Sequence, residues 1–108
     1  MGKIEINQDS FKLFLDDRGM HFKGNLNDVK KLNNVKPIEE ALSSDIAFCR
    51  FEGKQGIQII KESSAGLIFI PHSLLESFQK HSSILISCEF PRLEMLKFLS
   101  EFWNEPNL

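Results

Sequence analysis

The chain predicts a small layered α/β domain, a mostly parallel sheet flanked by short helices, and three observations carry that expectation. From Ile46 onward, short apolar strand candidates alternate with segments of helical spacing, the rhythm of β-α-β units. The 108 residues carry 42% hydrophobic and 26% charged side chains, a balance suited to one folded domain. A chain of this length buries on the order of two thirds of its unfolded surface, so it forms a core without disulfide or metal staples.

Asp9 and Ser10 are acceptable helix caps, Phe11, Phe14 and Leu15 follow at i, i+3, i+4, and Gly19 stands where the helix would stop. Met20 to Lys23 alternates and closes on Gly24-Asn25, which predicts a short strand. A further extended piece is expected over Val29 to Val35. Pro37 suits the first position of a short helix through Leu42, with Glu39 and Glu40 near its positive end.

Ile46 to Phe51 opens the regular series, and Gly53 and Gly56 break the chain after it. Ile57 to Ser63 fits both periods: Ile57 and Ile59 alternate, while Ile57 and Ile60 share a helical face. A helix is expected, because a parallel crossover needs one there. Leu67 to Ile70 reads as a buried strand, and Pro71 leads a helix through about Lys80. Ile84 to Cys88 is the next strand. Pro91 opens a last helix whose apolar stripe is Met95, Leu96, Leu99, Phe102 and Trp103, with Phe98 and Trp103 at the two edges of the arc. No repeat, low-complexity tract or linker divides residues 1–108, which read as a single domain.

Composition narrows the functions. A net charge of −2, with Lys30-Lys31 as the only basic doublet, gives no concentrated positive surface for nucleic acid. The longest apolar run, Leu67 to Ile70, is far short of the ~20 residues that span a bilayer, and the start carries no apolar signal segment. No membrane span is expected, and the cytoplasm is the expected location. Cys49 and Cys88 lie in strand-like runs, where a thiol serves as a small hydrophobe rather than a disulfide partner.

His21, His72 and His81 lack metal-ligand spacing, so neither a metal nor another cofactor is expected. Asp16 and Asp17 are accounted for by a helix end, and Ser63, Ser64 and Ser73 lie in no nucleophile elbow. Gly53-Lys-Gln-Gly56 is too short for a phosphate-binding loop, although its amides would suit an anion. No catalytic residues are identified, which leaves enzyme activity open and a stand-alone hydrolase without support.

One stretch does suggest a site. Phe48 and Phe51 flank Arg50 where a strand gives way to a glycine-punctuated loop. The two rings read either as core or as a platform for a flat ligand such as a nucleobase, at the strand end where open α/β sheets bind ligands. Spacing alone does not choose.

The order Gly24-Asn25, Leu26, Val35, Ala41, Asp45-Ile-Ala-Phe48, Ala65-Gly-Leu-Ile-Phe-Ile-Pro71, Leu85-Ile86 and Pro91-Arg-Leu93 before an apolar helix resembles a known domain. It is similar to the N-terminal, uridine-recognising domain of the UDP-3-O-acylglucosamine N-acyltransferases of lipid A biosynthesis, whose fold resembles Mur ligase N-terminal domains. The similarity covers about Gly24 to Phe102. It implies that Phe48 stacks on uracil. Phe51 and Lys54 stand where the family has Asn and Tyr, so its polar readout of the base is not reproduced. About two additional residues lie between Phe48 and Ala65-Gly66.

In this light Phe51 is expected as a second aromatic wall, with Lys54 and Arg50 as phosphate contacts. The family's catalytic part is a left-handed β-helix of hexapeptide repeats that follows this domain, and no such repeats occur here. The chain as given is therefore expected to recognise a UDP-linked amino sugar, weakly in isolation, and not to transfer an acyl group. The last helix is expected to contact a catalytic portion or another subunit. The alternative is a protein-interaction or assembly domain that kept the fold and lost the nucleotide site.

Overall fold

The computed structural model of the chain describes residues 3–4 and 6–104. After strand β1 (Lys3–Ile4), helix α1 spans Gln8–Asp17 and buries Phe11, Phe14 and Leu15. Its cap is Asn7, ahead of the expected Asp9 and Ser10: the Asn7 Oδ1 accepts the N–H groups of both, at 2.9 and 3.2 Å. The helix ends as Gly19 suggests. Gly19 adopts φ +62°, and the Gly19 and Met20 amides donate to the Asp16 and Leu15 carbonyls in a Schellman arrangement.

Strand β2 (His21–Lys23) follows, then a 3-10 helix over Leu26–Lys31 and a two-residue strand β3 (Asn34–Val35). This corrects the extended piece expected from Val29. Leu26, Val29 and Leu32 are all buried, and their spacing of three is the period of a 3-10 helix. The Asn25 side chain caps it by accepting the Asn27 N–H.

The helix expected from Pro37 to Leu42 is also corrected, to a single turn at 38–40. The Glu40 amide reaches the Pro37 carbonyl, but the Asp45 carboxylate takes the Leu42 N–H and redirects the chain into β4 (Asp45–Phe48). Ile38 and Ala41 are buried while Leu42 is 65% exposed, so the apolar face lasts only that one turn.

Helix α2 (Gly53–Glu62) resolves the ambiguous segment as helix and starts four residues earlier than expected. Strand β5 (Leu67–Pro71) leads into a second 3-10 helix, His72–Ser77, shorter and tighter than the helix expected through Lys80. Strand β6 (Ile84–Cys88) matches the expected bounds, and helix α3 runs Pro91–Phe102. Strand β7 (Trp103–Asn104) pairs antiparallel with β1.

The main sheet has the order β2-β6-β5-β4-β3. Strands β3 to β6 are parallel in sequence order and β2 is antiparallel at one edge, so the α/β expectation holds. Every residue of β5 and β6 is buried, the pattern of parallel strands covered on both faces. Ile46, Leu67, Phe69, Ile84 and Ile86 face α1 and α3, while Ala47, Ile68, Ile70 and Leu85 face α2 and the second 3-10 helix.

The α1/α3 layer is built on aromatic rings. Phe98 lies 4.8 to 5.8 Å, centroid to centroid, from Phe11, Phe14, Phe69 and Phe102, mostly at edge-on or tilted angles. Phe98 is thus the centre of this core and not an edge of the α3 arc. Leu96, expected in the apolar stripe, is instead 46% exposed, and the Trp103 side chain lies outside the described ones. Among the described residues no helix is long and apolar enough to cross a membrane.

Candidate functional site

Strand β4 is second from the sheet edge, and its only outer neighbour is the two-residue β3. Past Phe48 the chain stays extended for one more pairing, the Cys49 amide donating to the Phe69 carbonyl at 2.8 Å. The alternation of β4 therefore places Phe48 toward the α1/α3 core and Cys49 toward the α2 core, and Phe51 packs on the α2 side as well. A short edge strand and a single turn at 38–40 cannot cover this end of the sheet, and a cleft opens there.

The cleft has a volume of about 590 Å³, within the roughly 300–1,000 Å³ of small-molecule sites. Val35, Pro37, Ile38, Phe48, Phe51 and Met95 supply apolar walls, and Lys36, Glu39 and Arg50 supply its charged groups. It lies at the carboxyl end of a parallel strand, the side on which open α/β sheets bind ligands. The strand order does not reverse within the parallel run, so the cleft owes its existence to the thin edge rather than to a topological switch point.

Three of the four sequence-predicted site residues come together here. Phe48 and Phe51, both half-buried, touch opposite cores and line the same cleft, so core and platform are compatible roles for each ring. Arg50 is exposed, with its guanidinium carbon 4.9 Å from the Phe51 ring centroid. Lys54 is not brought in: it is exposed in the first turn of α2 and does not line the cleft. Lys36, Glu39 and Met95 were not expected as site residues from the sequence. Lys36 carried no signal, Glu39 was read as an acid at the start of a helix led by Pro37, and Met95 is indistinguishable from other core-facing residues of α3.

Gly53-Lys-Gln-Gly56, expected as a loop, is the first turn of α2, and its glycines have a structural explanation. Gly53 adopts φ +66°, which turns the chain into α2, and Gly56 is buried so tightly that a Cβ would strike the Phe51 carbonyl and Leu74. The two glycines seat this first turn against the chain segment that carries Phe51.

Cys49 lines the cleft, with its thiol donating to the Phe51 carbonyl at 3.5 Å. Burial raises its pKa, hydrogen bonding of the thiolate by the Phe51 backbone opposes this, and the nearby Glu39 charge adds to the rise. Cys88 is pushed up to about 12, chiefly by burial and then by Glu94. Both cysteines are free and held as thiols, not as nucleophilic thiolates.

The histidines and carboxylates singled out in the sequence stay apart. His81 sits between the Ser83 amide, which donates to Nδ1, and the Ile60 carbonyl, which lies 2.8 Å from Nε2. His21 and His72 are exposed, and Asp16 and Asp17 are exposed at the end of α1. Among the described residues no group of three or more His, Cys, Asp or Glu side chains is placed to hold a metal. The cleft can bind and orient a molecule, and its side chains supply no nucleophile with an attendant base. No protein-family model matches the chain, and no curated protein matches it.

Proposed function

We propose that this domain is a substrate-recognition module that binds the uridine part of a UDP-linked amino sugar, with Phe48 as the stacking surface. It orients that sugar for an N-acyltransferase reaction of the lipid A type, carried out by a catalytic portion beyond these residues. The observation that supports this most is the convergence of Phe48, at the end of β4 on the α1/α3 side, and Phe51, just past the strand on the α2 side, on one cleft at the carboxyl end of the sheet.

Stacking of a base on an aromatic ring contributes roughly 1–3 kcal/mol. Millimolar affinity requires about 4 kcal/mol. A uridine nucleotide therefore binds weakly here unless its phosphates are also held. In the double variant Phe48→Leu/Phe51→Leu, apolar bulk is kept and the rings are lost. Its amide spectrum should stay dispersed while the shifts caused by UDP-N-acetylglucosamine disappear; undiminished binding by the folded double variant refutes the assignment.

A second reading, an assembly domain, is favoured by a different observation. Phe90, just before α3, and Leu93 and Leu96 on its first half are 58%, 46% and 46% exposed. It predicts self-association or partner capture through α3 and no response to uridine compounds.

A further inference from the structure

The sequence-based expectation gave Phe51 to the base and Lys54 with Arg50 to the phosphates; the cleft keeps Arg50 but is arranged otherwise around it. Lys54 lies outside it, whereas Lys36 and Arg50 both line it, two cations against the single carboxylate of Glu39. Among the described residues neither Lys36 nor Arg50 makes an ion pair. The Arg50 guanidinium is instead held over the Phe51 ring, 4.9 Å from its centroid. A guanidinium that meets a ring through its face keeps the N–H groups on its edge available to donate.

We propose that Arg50 and Lys36 form an oxyanion-binding pair at the cleft mouth, taking the phosphate oxygens of a nucleoside diphosphate, and that Phe51 is a positioning residue for Arg50. The base then belongs to Phe48 alone. This rests on the reading of the cleft as the nucleotide site. The physical reason for the division is entropic as well as electrostatic. A free arginine loses much rotamer freedom when it grips a ligand, and a side chain already stacked on a ring loses less. Its planar fork also matches two phosphate oxygens, which a lysine in the same place would meet only as a point charge.

Inorganic pyrophosphate is the deciding probe, because a phenyl ring offers it no hydrogen bond. In an amide-resolved NMR titration, pyrophosphate should give saturable shifts at Lys36 and Arg50 to Phe51 that weaken as salt rises. Arg50→Gln should reduce this affinity by about tenfold or more. Phe51→Leu should reduce it severalfold, although Phe51 itself touches no oxyanion, and Arg50→Lys should fall between wild type and Arg50→Gln. Arg50 is exposed, so its variants test the pair even if Phe51→Leu disturbs folding. No saturable pyrophosphate shifts at Lys36 and Arg50, or a folded Phe51→Leu variant with unchanged pyrophosphate affinity, overturns the proposal.

Uridine and UDP titrations separate the two readings. Pyrophosphate binding as described, with UDP no tighter and uridine silent, supports the anion pair and removes the uridine assignment. Uridine binding without pyrophosphate binding overturns the anion pair and leaves the base platform standing.

Discussion

At residue scale, Gly53 and Gly56 show how two similar letters carry different constraints. Gly53 has open space around a would-be Cβ but a left-handed φ, so Gly53→Ala should cost about 1–2 kcal/mol through backbone strain alone. Gly56 has ordinary φ and no room, so Gly56→Ala should cost about 1–3 kcal/mol by forcing α2 away from the Phe51 carbonyl. Urea unfolding should find both less stable, and only Gly56→Ala should shift amide resonances around Phe51 and Leu74. The sequence announces a break at this pair but cannot say which glycine serves conformation and which serves contact. Phe48 is opaque for a related reason: an aromatic at a strand end packs and lines a surface with the same ring.

The cysteines give a pH prediction at the same scale. The unfolded Cys88 thiol ionises near its ordinary 9.0, while the folded one stays neutral to about 12. Stability from this group is complete below pH 9 and is lost as pH rises toward 12, at up to about 1.4 kcal/mol per pH unit. Cys49, also raised, acts in the same direction. Urea midpoints should drop between pH 8 and 10.5, and Cys88→Ala should flatten that dependence; an equally steep fall in the variant would contradict it.

At element scale, the strongly periodic pieces were legible and the short ones were not. Strand β6 and helix α3 follow from apolar runs and a leading proline, and β5 from an unbroken Leu67-Ile-Phe-Ile70. The 3-10 helix at Leu26–Lys31 was missed and the one at His72–Ser77 was read as a longer helix, because two short turns carry too few apolar positions to fix a period, although Leu26, Val29 and Leu32 do repeat every third residue. The α1 start shifted because Asn7 competes with Asp9 and Ser10 as a cap, and only the structure shows whose oxygen meets the amides. Asn7→Ala should therefore cost about 1 kcal/mol, while Ser10→Ala should be nearly neutral. Equal losses in thermal melts of the two variants would argue against Asn7 as the cap.

At the scale of the whole molecule, sheet order and helix layers determine where a ligand can bind. The fold class was legible from the alternation of strands and helices, but the cleft was not, since it arises where a two-residue edge strand and a one-turn connection leave β4 uncovered. The assembly reading makes its own prediction here. If α3 docks a second copy, sedimentation velocity should show concentration-dependent association that Leu93→Glu/Leu96→Glu abolishes, and a wild-type chain that stays monomeric and captures no partner speaks against it.

The most direct test of nucleotide recognition is an amide-resolved NMR titration of the domain with UDP-N-acetylglucosamine, with ADP-glucose as control. Saturable shifts are expected at 35–39, at 48–51 and near Met95 with the uridine ligand, whereas ADP-glucose, which offers the same diphosphate, should still move Lys36 and Arg50 but shift Phe48 and Met95 much less. Absence of such shifts at several millimolar, or identical shifts with both ligands, would contradict the uridine assignment.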